Sequence, residues 1–93
     1  MGFLVRLHGY SGNGTVEAAV ARASIGRQIA NGRRKRNLTR QDLGTMLGVN
    51  SAQIEKYETG KDPLPAGCLY QLSILLDMPV TEFFKEPDKG APL

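Results

Sequence analysis

The side chains with the clearest chemistry in this chain are cations. Between Arg22 and Arg40 stand seven basic residues, Arg22, Arg27, Arg33, Arg34, Lys35, Arg36 and Arg40, with no acidic one among them. Residues 1–61 hold ten basic and four acidic groups and residues 62–93 hold two and five, so the net charge of +3 divides into a basic part at +6 and an acidic part at −3. A one-sided field of this kind draws in a polyanion. The alternative is a solvated basic face that meets no partner.

The parts of a catalytic site are missing. Cys68 and His8 are each the only residue of their type, which excludes an internal disulfide and a cysteine–histidine metal cluster by count. Gly9, Gly12 and Gly14 are close enough for a phosphate-cradling loop, but the Gly-Lys-Ser/Thr that such a loop needs does not follow, and a linker is the simpler reading. The expectation is a non-enzymatic chain with no metal and no cofactor.

Ninety-three residues bound the chain to one domain with tails. A composition of 41% hydrophobic and 23% charged residues belongs to a folded chain. No apolar run has the length of a bilayer, and the start, Met1 to Leu7, lacks the basic leader and cleavage site of a signal peptide, so no membrane partner and a cytoplasmic location are expected.

Residues 1–24 read as an N-terminal arm, flexible over its glycines, with an extra helix from 16 under a Thr15 cap as an option that can run on into the next. Ile25 and Ile29 open the domain proper, whose first helix should end near Arg36, at Asn37. Thr39 with Asp42 opens a short helix of about 39 to 46, in which Leu43, Met46 and Leu47 share a face. Gly48 and Val49 turn the chain, Asn50 or Ser51 caps a further helix, and Ile54 and Tyr57 form its buried face. After a loop with Gly60, Pro63 and Pro65, the spacing Leu69, Leu72, Leu75, Leu76 predicts a fourth helix stopped by Pro79. Val80 to Phe84 is a last helical turn, and residues 85–93 form a tail.

One constellation combines these elements: Arg40-x-x-x-Gly44-x-x-x-Gly48-Val49-x-x-x-x-Ile54-x-x-Tyr57-Glu58-x-Gly60. Two short helices joined by a tight turn need a small residue at their crossing, a glycine in the turn and an aliphatic anchor on the second helix. Gly44, Gly48 and Ile54 stand in those places.

At these residues the chain resembles the lambda-repressor-like (Cro/CI, XRE) family of helix-turn-helix transcription regulators, over roughly Ile25 to Phe84. Leu38-Thr39, Leu47-Gly48-Val49, Ile54, Glu58-x-Gly60 and Leu76-Asp77-Met78-Pro79-Val80 are similar to the family pattern, and Lys56-Tyr57-Glu58 resembles its Gln-Lys-Tyr-Glu variant. Two positions depart from it: Gly44 stands where alanine is usual and should weaken its helix by roughly 1 kcal/mol, and Arg40 stands where glutamine is usual.

The resemblance implies an all-α, five-helix lambda-repressor-like DNA-binding domain at 25–84, acting as a homodimer on double-stranded DNA, on a pseudo-palindromic operator, as a repressor. Carried over by position, Ser51, Ala52, Gln53, Glu55 and Lys56 meet base edges. Arg40, Gln41, Asn50, Thr59 and Lys61 contact phosphates, Arg40 with a full charge. For Ser51 the alternative is capping alone, and for Glu55, Lys56 and Lys61 it is plain solvent exposure, with Glu55 orienting Lys56 or Arg40. Arg33 and Glu58 form a partly buried ion pair. Leu69, Leu76, Val80, Phe83 and Phe84 supply the dimer interface, with Phe83 and Phe84 capping the monomer's own core as the alternative. The rival reading is an antitoxin-type interaction module that binds a toxin protein as well as DNA.

Overall fold

A computed structural model of the chain describes residues 15–85. The arm's glycine segment, His8 and most of the 85–93 tail lie outside the described residues. Four α-helices, α1 (Val16–Lys35), α2 (Arg40–Leu47), α3 (Ser51–Thr59) and α4 (Ala66–Leu75), are followed by a 3₁₀ helix at Val80–Phe84. The described residues contain no strand. The expected fifth helix is this 3₁₀ turn, because Pro79 sets the chain direction and only five residues follow before it becomes extended at Lys85.

Helix α1 starts at Thr15, whose Oγ1 accepts from the Ala18 N–H at 2.9 Å. Glu17 in its first turn and Arg33, Arg34 and Lys35 in its last both suit the helix dipole. The boundary expected at 24/25 falls inside this single 20-residue helix. Gly26 does not break it, because Gly26 lies where α1 crosses α3: a β-carbon there would collide with the backbone carbonyls of Tyr57 and Glu58. Left-handed Asn37 (φ 58°) then turns the chain toward α2.

The start of α2 is a reciprocal capping box, with Thr39 Oγ1 accepting from the Asp42 N–H and Asp42 Oδ2 accepting from the Thr39 N–H, both at 2.9 Å. Those bonds, the one from the Thr39 backbone foremost, hold the Asp42 carboxyl below its ordinary range. Helix α2 ends at Gly48, where φ is 88°.

Packing follows from which faces are apolar. Helix α1 lies on α3 and on the 3₁₀ helix, α2 on α3 and α4, and α4 on the 3₁₀ helix. Ile29, Leu43, Leu47, Ile54, Tyr57, Leu72, Leu76 and Phe83 make one buried core, edged by half-buried Ile25, Leu38, Val49, Leu64 and Leu69. Burying each of the larger aliphatic or aromatic side chains contributes about 1.5–3 kcal/mol before entropy is set against it. The Gln28 amide donates to the Lys85 carbonyl at 3.0 Å and ties the 3₁₀ helix to α1. No helix among the described residues is long and apolar enough to cross a membrane.

Candidate nucleic-acid interface

Helix α3 is held rigidly at its ends and along its inner face. Asn50 caps it, its Oδ1 accepting from the Gln53 N–H at 2.8 Å, so Ser51 is the first helical residue rather than the cap. Ile54 is fully buried, and Tyr57 and Glu58 are buried beside it. The crossing with α2 is close enough that a β-carbon on Gly44 would stand 2.6 Å from the Val49 carbonyl oxygen.

With Ile54, Tyr57 and Glu58 turned inward, Ser51, Ala52, Glu55 and Lys56 remain exposed at the spacing of one helix face. Asn50 and Lys61 flank that face in exposed positions, and Gln41 is exposed on α2. Together they present a short helix face of mixed donors and acceptors, of the width that the major groove of duplex DNA admits.

Two residues expected in contact roles are engaged elsewhere. Gln53 is half-buried, and its amide donates to Asp62 Oδ2 at 3.1 Å, which turns it to the loop after α3 and away from the row of exposed residues. Thr59 Oγ1 donates to the Glu55 carbonyl at 2.9 Å, so the hydroxyl hydrogen that a phosphate would need is used within the helix. The causes differ: Thr59 back-bonds to the preceding turn as short hydroxyl side chains do, whereas the longer Gln53 reaches across to the Asp62 carboxylate.

Arg33 and Glu58 meet in a bidentate ion pair, Nε to Oε2 at 2.6 Å and Nη2 to Oε1 at 3.2 Å, and Arg33 Nη1 also donates to the Leu38 carbonyl at 2.9 Å. The Glu58 side chain is only 2% exposed. Arg40 joins the same carboxylate, its Nε donating to Glu58 Oε1 at 2.9 Å. Glu58 thus ties α1, α2 and α3 together, whereas Glu55, the partner considered for Arg40 from sequence, lies on the outer face of α3.

The basic run is partly committed to the fold. Arg22 donates to the Gly60 carbonyl and Arg36 to the Asp77 carbonyl, while Arg27, Arg34 and Lys35 are exposed. Beneath α3, burial pushes the Tyr57 phenol above its ordinary value, neighbouring Cys68 and Asp62 add to the rise, and a bond with Gln53 opposes it.

The expected dimer surface needs correction. Leu76 and Phe83 have no exposure at all and belong to the monomer's core, and Leu69 is half-buried. Val80 and Phe84 remain exposed, and so do Tyr70 and Ile74, at 64% and 61%. Tyr70 and Ile74 are four apart on α4 and form a stripe. Phe84 lines a groove with Val16 and Val20 of α1, an apolar surface that reading residues 1–24 as an arm had hidden.

A family model described as helix-turn-helix, HTH_3, matches residues 29–83. The chain is 37% identical over 75 residues to the uncharacterized HTH-type transcriptional regulator y4aM of Sinorhizobium fredii, covering 73% of this chain and 52% of that protein. It is 31% identical over 70 residues to an uncharacterized transcriptional regulator in the ATPase CF(0) region of Rhodospirillum rubrum, covering 75% and 65%. The chain thus spans about half to two thirds of the length of these relatives. Among solved structures, the restriction-modification controller protein C.AhdI from Aeromonas hydrophila superposes with a TM-score of 0.66 at 18% identity, over 71% of this chain and 96% of that one. The clp gene regulator ClgR from C. glutamicum superposes with a TM-score of 0.64 at 17% identity, over 68% and 82%. At those identities the likeness concerns the fold.

Proposed function

This chain belongs to the HTH_3 helix-turn-helix family, and from that premise we propose that it is a sequence-specific DNA-binding regulator that represses transcription in the cytoplasm as a homodimer on a pseudo-palindromic operator. The observation that carries this reading is the outer face of α3. A helix anchored by fully buried Ile54 presents Ser51, Ala52, Glu55 and Lys56 to solvent, where the two longer side chains, Glu55 and Lys56, are exposed.

In this reading the first turns of α3 lie in the major groove. Lys56 donates to a base, Ala52 meets a thymine methyl, Glu55 accepts from cytosine and Ser51 bonds either class. Asn50, Gln41 and Lys61 bind phosphates and set the register without reading sequence. The two copies meet half-sites about one helical turn apart. Val80, Phe84, Tyr70 and Ile74 supply their contact.

Selection of binding sites from a random duplex library tests this. A defined, two-fold related consensus is expected, and Lys56→Ala should relax preference at one position of each half-site while leaving the others intact. A selection that returns no consensus removes the sequence-specific reading.

A further inference from the structure

Helix α1 begins with apolar side chains that the bundle does not use. Val16 and Val20, one turn apart, are 76% and 60% exposed, and Phe84 of the 3₁₀ helix is 57% exposed. With Ala21 and Ile25 they line a groove of about 410 Å³, in which exposed Glu17 is the one charged lining residue. Among the described residues Glu17 belongs to no ion pair. The chain ahead of α1 holds a segment of matching size and character. Phe3, Val5 and Leu7 alternate with Leu4 and Arg6, so an extended stretch turns the first three to one side. Such a stretch measures about 13 Å from Phe3 to Leu7, and α1 rises about 14 Å from Val16 to Ile25.

Resting on the homodimer reading above, we propose that the two copies exchange N-terminal segments: residues 3–7 of each copy lie in the groove of the other, with Phe3, Val5 and Leu7 on Val16, Val20 and Phe84, and Arg6 at the edge beside Glu17. The first support is area. A stable interface covers roughly 800 Å² on each partner, and one aromatic side chain supplies about 150–250 Å² at most. Tyr70, Ile74, Val80 and Phe84, at 38–64% exposure, fall well short of that together. Folded back on its own α1, the segment would cover Phe84 and subtract from the contact; laid across the two-fold axis it adds to the contact twice. The second support is reach. Residues 8–14 span up to about 25 Å, more than the 8–10 Å that separates packed helices, and Gly9, Gly12 and Gly14 accept whatever turn the crossing needs. The third is charge, since Arg6 is the segment's basic residue and Glu17 the groove's acidic one.

Disulfide trapping in the full chain tests the exchange. Cys68→Ser removes the one native thiol; in that background one preparation carries Val5→Cys and a second, larger by a tag, carries Val20→Cys. Mixed and mildly oxidised, they should give mainly a linked dimer of one chain of each size. Same-size dimers in its place, or thiols that stay free, overturn the exchange. A chain carrying both substitutions should also link into dimers; if it oxidises to a monomer without free thiols, the segment lies on its own helix and the exchange is overturned. Sedimentation supplies a second readout, with helicity checked by circular dichroism. Phe3→Glu with Leu7→Glu should weaken dimerisation at least about tenfold, because two apolar side chains per copy lose their burial. A folded variant that dimerises as tightly as the parent overturns the proposal, and if the variant loses helicity the trapping decides. A parent that sediments as a monomer overturns the homodimer reading itself, whereas a dimeric parent with unlinked thiols overturns the exchange alone.

Discussion

Arg33 and Glu58, 25 positions apart, are joined by two side-chain hydrogen bonds with the glutamate almost sealed from solvent. Removing one member of such a pair strands the other in a medium that solvates it poorly. Glu58→Ala should therefore cost on the order of 3 kcal/mol in denaturant unfolding. Arg33→Ala should cost a comparable amount, partly offset because Arg40 still reaches the carboxylate. The double mutant should cost clearly less than the two single effects added together. Additive effects in that cycle would show that the two residues do not stabilise each other.

A second expectation concerns Gly44, where helix propensity and packing oppose one another. Alanine gains roughly 1 kcal/mol in an isolated helix, and this sequence declines that gain. The reason lies across the turn: a β-carbon would stand 2.6 Å from the Val49 carbonyl oxygen, a backbone atom that can move only if the α2–α3 junction opens. Gly44→Ala should destabilise on balance by about 1–3 kcal/mol, the usual range for overpacking. A urea midpoint at or above the parent's would mean that the junction relaxes freely.

The local features of this fold are legible in the chain and the long-range ones are not. Thr39 with Asp42, Gly48 and Asn50 are capping signals whose partners lie within four residues, and each structures the chain where expected. Leu43, Leu47 and Ile54 are buried as their spacing predicts, whereas Met46, placed on the same face as Leu43 and Leu47 by that spacing, is exposed. By contrast, nothing in the chain pattern marks Gly26 as a helix-crossing residue, because only the position of the α3 backbone explains it. Arg40 and Glu58 are 18 positions apart, and Gln53 has two competing destinations; a chain pattern does not choose between them. Helix α4 is apolar on nearly every side, so its periodicity does not separate buried Leu72 and Leu76 from exposed Tyr70 and Ile74.

The capping box gives an expectation about pH. Asp42 is held below its ordinary carboxyl range by the N–H and hydroxyl of Thr39, so its charged form is favoured in the folded state. A carboxyl with a lowered folded value contributes stability that is complete above the unfolded carboxylate range and is lost as pH falls through the folded value. Asp42→Asn should therefore lower the melting temperature near neutral pH, and the gap to the parent should close in acid well below that range. A gap that persists unchanged in acid would assign the effect to the shape of the box and not to the charge.

The last expectation is that two copies join through the apolar side chains that the bundle leaves uncovered. Leu76 and Phe83 are consumed by the core, so Phe83→Ala should act on folding, at about 3–5 kcal/mol, as a large buried aromatic does. Tyr70, Ile74, Val80 and Phe84 are different, because each keeps at least 38% of its surface in a single copy. A charge placed on one of them meets water in the monomer and is desolvated only in a dimer. Ile74→Glu and Phe84→Glu should therefore keep the parental circular dichroism and melting cooperativity while shifting sedimentation toward the monomer. Operator affinity should fall with the dimer, because a single α3 reads only one half-site. The two variants also rank the surfaces: the stripe on α4 stands apart from the groove that Phe84 shares with Val16 and Val20, and the substitution on the true contact surface produces the larger shift. Two folded variants that both remain dimers would place the interface outside these four residues, and a parent that sediments as a monomer at binding concentrations would remove the dimer altogether.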